Sequence, residues 1–329
     1  MAGSPERVDL PLDGIRLSAL RWKPARPATP PPVLLHHGLA SSAGFWSPMA
    51  VHLADGAPAG DGRATVVATE DPWPGRHALA GPPAREVVAL DARGHGESDR
   101  PDEGYGTAQV AADLQAALVG LGWTDAGRAR PVLVGHSWGG NVVLEHAASH
   151  PGVAAGIVLV DGGFLELGHM TWEETERDLA PPRMGPMTWA QFTARAAGWW
   201  GATGWSDAVE KAIRHNFEEL PDGTIRPRLS RDRHMAVLRG MWEQRPSELY
   251  GSVRVPVLLL PARRSSADGR ERQFIERKVE AVERAVAALG HAGVPVIAEW
   301  FEESIHDIPL QHPARLAARI QAFIAALSG

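Results

Sequence analysis

Pro131-Val132-Leu133-Val134-Gly135-His136-Ser137-Trp138-Gly139-Gly140-Asn141-Val142-Val143-Leu144 is the stretch that decides the fold. Its opening residues are apolar and largely β-branched, which suits a strand buried on both faces. Gly140 to Leu144 reads as a helix leaving the segment. Between the two lies G-x-S-x-G, formed by Gly135, Ser137 and Gly139. The bare motif is weak, because Gly and Ser are common, but the setting is specific. A strand that breaks into a helix through one strained turn needs small flanking residues and lifts the serine Oγ above the sheet. The N-terminus of the following helix favours negative charge developing there. Ser137 is therefore the candidate nucleophile.

Similar apolar runs recur on both sides of this segment. Val33 to Leu35, Glu86 to Leu90, Gly156 to Val160 and Val255 to Leu260 are short and end in turn residues. Helical patterns, such as Tyr105 to Leu121 and Gly139 to Ser149, lie between them. This alternation predicts an open α/β sheet. At the start, Arg7 to Leu12 and Ile15 to Trp22 flank Asp13-Gly14, a hairpin signal that predicts an antiparallel edge. Near the end, Leu316, Ile320, Phe323 and Ile324 share one helical face, which predicts an amphipathic closing helix over Pro313 to Leu327.

Two regions break the alternation. Residues 55–84 are rich in Gly, Pro and Ala, with one β-like run at Thr65 to Ala68, and read as a surface excursion. Residues 162–250 separate two core strands with mostly helical patterns, and they hold Trp172, Trp189, Trp199, Trp200, Trp205 and Trp242. They read as an inserted helical cap on a core made of residues 1–161 and 251–329.

The composition narrows the class. The chain has 329 residues, 44% of them hydrophobic, and a formal net charge of -6. That charge gives no basic footprint for nucleic acid. No apolar run reaches the roughly 18–20 residues of a membrane span. The start, MAGSPERVDLPLDG, lacks an apolar stretch behind a basic one, so no secretory leader is expected. With no cysteine, disulfides, a thiolate nucleophile and cysteine-bound metals are excluded. A cytoplasmic location is the expectation. A homo-oligomer is compatible with the sequence, but no segment singles one out.

Further motifs make the chain resemble the α/β-hydrolase superfamily. His37-Gly38 follows the strand Val33 to Leu35, and Asp91-Ala92-Arg93-Gly94-His95-Gly96-Glu97-Ser98 looks like the family's D-x-R-G-H-G-x-S turn. The resemblance implies a mostly parallel eight-stranded sheet with helices on both faces and an inserted helical cap. It also implies an oxyanion hole from the N–H groups of Leu39 and Trp138. The Asp91 turn reads as structural, His95 included.

Position in the chain selects the base. Ser304-Ile305-His306-Asp307-Ile308-Pro309-Leu310 follows a β-like run, Pro295 to Trp300, and precedes the closing helix. The family places its histidine there, in the order nucleophile, acid, histidine. The acid usually follows the strand after the cap, where this chain has Ser265 in place of a carboxylate. Two candidates remain. Asp268 lies three residues later, in a loop, and Asp161 ends the strand after the nucleophile strand. Asp161 is favoured because a strand end is the more rigid platform for orienting an imidazole.

These residues predict acyl transfer without metal or organic cofactor: Ser137 attacks a carbonyl, and His306 carries the proton. His37 and Trp46 from the core, with Trp172 and His234 from the cap, are the candidate substrate-binding residues. Arg231 lies on the same helical stretch as His234. The expected substrate is a small, largely apolar ester, lactone or related carbonyl compound. Ser137 argues against the Asp-nucleophile chemistries of haloalkane dehalogenases and epoxide hydrolases. Cofactor-free perhydrolysis, C–C bond hydrolysis and a non-catalytic ligand receptor stay open.

Overall fold

The computed structural model describes residues 4–24, 26–56, 65–67, 83–200, 204–265 and 268–327. The hairpin comes first: β1 (Glu6–Pro11) pairs antiparallel with β2 (Arg16–Trp22). Gly14 turns it at φ 74°, and Leu12 N–H donates to the Ile15 carbonyl. The sheet continues with β3 (Val33–His36), β4 (Thr65–Val67), β5 (Val87–Leu90), β6 (Val132–His136) and β7 (Gly156–Val160). After the cap come β11 (Val257–Leu260), β12 (Ala262–Arg263) and β13 (Val296–Glu302). The spatial order is β1-β2-β5-β3-β6-β7-β11-β13-β12. From β5 onward these neighbours run parallel. β4 pairs antiparallel with β13, off that path.

The path thus has nine strands where eight are expected. The unexpected one is β12, two residues long after Pro261, which is too short to leave a period in the sequence. The excursion expected over residues 55–84 lies largely outside the described residues; the backbone of β4 falls where the β-like run does.

Alternation along each strand builds two cores. Leu34, Val88, Leu133, Ile157, Leu159, Val257 and Leu259 face one side, against α2 (Thr107–Gly120), α3 (Trp138–Ser149) and α9 (Gly269–His291). Their neighbours Val33, Leu35, Val132, Val134, Val158, Val160, Leu258 and Leu260 face the other, against α1 (Ser47–Asp55) and α10 (Pro313–Ala326). Both faces are apolar because helices cover both, which explains the continuous hydrophobic runs.

Residues 162–250 leave the sheet between β7 and β11. They hold α4 (Trp172–Leu179), α5 (Trp189–Trp200), α6 (Asp207–Arg214), α7 (Arg231–Glu243) and α8 (Pro246–Leu249). They also hold β8 (Met187–Thr188), β9 (Phe217–Glu219) and β10 (Thr224–Pro227), an antiparallel sheet in the order β8-β10-β9. Helices make up most of this insertion, as expected; its strands, two to four residues long and partly polar, carry no readable alternation. Cap and core are tied by Gln244, which bonds Asn141 and Glu145 of α3, and by Ser42, which donates to Asn216 at 2.7 Å. No helix among the described residues is long and apolar enough to cross a membrane.

Candidate active site

The parallel strands end on one edge, and the candidate residues gather there. Open α/β sheets place ligands at this carboxyl edge, where strand order reverses. Here the reversal flanks β3, between β5 and β6.

Ser137 follows β6 with φ 54° and ψ −123°. A side chain in that region costs about 1–3 kcal/mol, which the surroundings must offset. They do so by enclosure. Ser137 N–H donates to the Val160 carbonyl at 2.9 Å, and Gly140 N–H returns to the Ser137 carbonyl at 2.9 Å. A Cβ on Gly135 would lie 2.1 Å from the Gly139 carbonyl oxygen, so the turn closes only with glycine there. Ser137 itself is half-buried, and its Oγ makes no hydrogen bond among the described residues.

The loop after β3 lies beside this turn. Gly38 sits so close that a Cβ would be 3.1 Å from the Ser137 Cβ. The N–H groups of Leu39 and Trp138 donate to no partner among the described residues. Ala40, at φ 60°, is held by its N–H donating to His95 Nε2 at 3.3 Å. His95 Nδ1 lies 2.9 Å from the Arg93 carbonyl, and its ring stacks on Trp138 at 5.3 Å. Burial drives the His95 pKa down to about 3, so it stays neutral and can accept that bond. Asp91 secures the same region by accepting from Ala43 and Glu97 N–H at 2.7 and 3.0 Å.

The structure places the two candidate acids far apart in role. Asp161, at φ 45° after β7, accepts from His306 Nδ1 through Oδ2 at 2.7 Å. Its Oδ1 accepts from Ala262 N–H at 2.9 Å. Lys278 Nζ lies 2.8 Å from Oδ1 and 3.0 Å from Oδ2. Burial alone would push the Asp161 carboxyl up, but the His306 hydrogen bond and the Lys278 ammonium outweigh it and hold it well below the usual range. Asp268 is exposed and caps α9, accepting from Glu271 N–H at 3.0 Å.

His306 sits in the loop after β13, its side chain about half exposed. Partial loss of solvent around the ring works against its protonation. The hydrogen bond and charge of Asp161 win, with help from Asp307, and raise its pKa above 6.5 while Lys278 pulls the other way. The His306 carbonyl accepts from His136 Nε2–H at 2.9 Å, and the two rings lie 4.7 Å apart.

The expected substrate-binding residues separate. Trp46 is fully buried beside Phe45 and the His136 ring, inside the core. His37 is fully buried too; its Nε2 accepts from Ala92 N–H at 3.0 Å, and its Nδ1 lies 2.7 Å from the Gly38 carbonyl. In these positions His37 props the sheet-edge loops and Trp46 fills the core beneath them. Trp172 packs on Trp242 at 6.0 Å, with Arg239 over both rings, and so joins α4 to α7. His234 on α7 is buried, its Nε2 has no partner among the described residues, and its charge would depress the basicity of His95. Arg231 donates to the Pro181 carbonyl at 2.5 Å and so braces the cap.

A model of the alpha/beta hydrolase family matches residues 33–319. The chain belongs to the alpha/beta hydrolase family. Within it, the chain is 28% identical over 131 residues to 2-(acetamidomethylene)succinate hydrolase from Mesorhizobium japonicum, a match covering 40% of this chain and 35% of that protein. It is 41% identical over 75 residues to a non-heme chloroperoxidase from Streptomyces lividans, covering 22% of this chain and 25% of that protein. These matches span about a third of such relatives or less. The crystal structure of E-2-(acetamidomethylene)succinate hydrolase superposes with a TM-score of 0.69 at 20% identity, covering 98% of each chain. A thioesterase domain from the curacin biosynthetic pathway gives 0.65 at 17% identity, covering 97% of this chain and 99% of that one. These two likenesses show the fold.

In this hydrolase-family chain, two residues at the site escape the sequence reading. His136 is the variable position of G-x-S-x-G and carries no signal of its own. Lys278 left one: with Val282, Ala285 and Leu289 it lies on the buried stripe of α9, at helical spacing, where a charge has no reason to be unless paired. Among the described residues no three His, Asp or Glu side chains gather to hold a metal ion. A cleft of about 560 Å³ between α9 and the 163–169 loop, lined by Phe164, Tyr250, Arg277 and Arg284, includes none of Ser137, Asp161 and His306.

Proposed function

We propose that this protein is a serine hydrolase that cleaves small, largely apolar esters or lactones through an acyl-enzyme on Ser137. The observation that carries the reading is the His306–Asp161 hydrogen bond of 2.7 Å on the sheet edge where Ser137 stands at φ 54°. Asp161 holds His306 with Nδ1 protonated, which turns Nε2 outward as a base. His306 Nε2 takes the Ser137 proton as Oγ attacks the carbonyl. The N–H groups of Leu39 and Trp138 receive the oxyanion; such donors are worth roughly 3–4 kcal/mol each. His306 then protonates the leaving alcohol, and water repeats the cycle on the acyl-enzyme. Nucleophile–base contacts are commonly loose in unliganded enzymes and tighten when substrate binds, which suits an Oγ without a partner.

The experiment is a chain-length series of p-nitrophenyl esters, with lactones and amides alongside. Turnover of short esters with a burst of p-nitrophenol supports the reading, and no turnover of any ester, lactone or amide by folded protein refutes it. The likeness to a protein named non-heme chloroperoxidase gives a second reading on the same triad, peroxide-dependent oxidation of a carboxylic acid. Acetate with peroxide, assayed beside the esters, separates the two.

A further inference from the structure

Lys278 is one of only three lysines in a chain with 33 Lys and Arg together. It is about 5% exposed. Its ammonium spends its three donors on Asp161 Oδ1, Asp161 Oδ2 and the Ala262 carbonyl, at 2.8, 3.0 and 2.9 Å. Ala262 in turn donates its N–H to Asp161 Oδ1. The carboxylate is thus gripped on both oxygens, with one direction on Oδ2 left for His306.

We infer that Lys278 is a positioning residue for the reaction: by clamping Asp161 between α9 and β12 it fixes the carboxylate toward His306 and shares its negative charge. This rests on the serine-hydrolase reading above for its effect on rate, though not for its effect on His306.

Two arguments carry it. The first is geometric. Asp161 is the last residue before the chain leaves the sheet for the cap, it stands at a positive φ, and nothing on its own loop holds its oxygens. Without the ammonium, each carboxylate oxygen keeps one partner, Ala262 N–H on Oδ1 and His306 on Oδ2, and loses the contact that bridges them. The second is energetic. A buried ion pair repays its desolvation poorly, and an apolar side chain on the stripe of Val282, Ala285 and Leu289 would pack as well. A cation is useful there if it tunes the acid. The compact ammonium also suits the task better than a planar guanidinium, which would need more room to reach three oxygens.

The charged and titratable groups facing His306 are Asp161 from the end of β7, Asp307 in its own loop, His136 from β6 and Lys278 from α9. Lys278 opposes protonation of the imidazole, and Asp161 favours it. Removing the cation therefore lets Asp161 act on His306 unopposed, and the base protonates at higher pH.

The test compares Lys278→Met and Lys278→Arg with the parent, each also in the Asp161→Asn background. Two readouts are used: the His306 ring resonance followed by NMR against pH, assigned with His306→Gln, and kcat and KM for a p-nitrophenyl ester. Lys278→Met should raise the pH at which His306 titrates. It should lower kcat by about tenfold to a hundredfold with little change in KM, and the loss should be greater at pH 6 than at pH 8.5. In the Asp161→Asn background the same substitution should add almost nothing to the loss of kcat at pH 8.5, because the lysine positions that carboxylate. Lys278→Arg should recover part of the rate. Equal losses in both backgrounds, or an unmoved His306 titration, overturn the inference. Should Lys278→Met fail to fold, the paired change Lys278→Met with Asp161→Asn removes both charges, and its rate must match Asp161→Asn alone. A parent that does not hydrolyse esters defeats the hydrolase reading, while the NMR titration still decides the clamp.

Discussion

Asp161 and His306, 145 positions apart in the chain, meet through an Oδ2···Nδ1 hydrogen bond of 2.7 Å. Asp268, the acid nearer the usual family position, instead caps the helix that carries Lys278. The two carboxylates should therefore answer differently to the same change. Asp161→Asn is expected to lower kcat by about 10⁴, the scale known for an acid that fixes the tautomer of a catalytic histidine. Asp268→Asn is expected to change kcat less than tenfold and to cost at most about 1 kcal/mol of stability as a lost cap. Steady-state kinetics and thermal melts on the two variants check this, and a reversed order would move the acid to Asp268.

Activity should depend on pH in the sense set by His306. In the proposed mechanism His306 works neutral, and Asp161 raises its pKa above 6.5. Values of kcat/KM should thus climb with pH and reach half their plateau above pH 6.5. Stability moves the other way in that window. A raised pKa contributes stability that is complete below the unfolded value and is lost as pH rises through the folded one. Asp161 has the opposite sign. Its depressed pKa contributes above the unfolded carboxylate value of about 3.9 and is lost as pH falls. A rate profile that is flat from pH 5 to 8 would contradict the role given to His306.

The central parallel strands β3, β5, β6, β7 and β11 were legible because each is buried on both faces and therefore spelled in largely apolar residues. Gly156 to Val160 has the observed bounds, and Val132 to Val134 falls short only by Gly135 and His136. The cap strands were not legible, since Met187–Thr188 is too short to show a period. Trp46 and His37 are aromatic residues near the site in sequence, but only packing shows that they are enclosed. Asp161 was favoured over Asp268 in sequence only by the rigidity of a strand end. Its lysine partner comes from 117 positions further on, in a helix for which the sequence reading gave no bounds.

Gly162 tests the enclosure of the strained serine. A Cβ there would lie 2.0 Å from the Ser137 carbonyl oxygen. Gly162→Ala is expected to destabilise by about 1–3 kcal/mol or more, as overpacking does. Reaction at Ser137 should fall further than the folded fraction does, because the turn must open. Circular dichroism melts with active-site titration separate the two effects; full activity per folded molecule would mean that the turn tolerates the methyl group.

His95 tests the oxyanion loop. It holds Ala40, next to Leu39, by a hydrogen bond of 3.3 Å, and it makes no hydrogen bond to the proposed triad among the described residues. His95→Leu leaves the Ala40 N–H unpaired at about 1–3 kcal/mol. The expected result is a fall in kcat of about tenfold to a hundredfold, with KM changed much less. A rise in KM alone would place His95 in substrate binding.

Reaction with a fluorophosphonate probe, followed by mass spectrometry of the tryptic peptides, tests the central claim most directly. The account predicts one adduct, on Ser137, formed faster as His306 loses its proton, slowed strongly by Asp161→Asn and abolished by Ser137→Ala. Folded protein that takes up no probe, or takes it up equally well after Ser137→Ala, would contradict it.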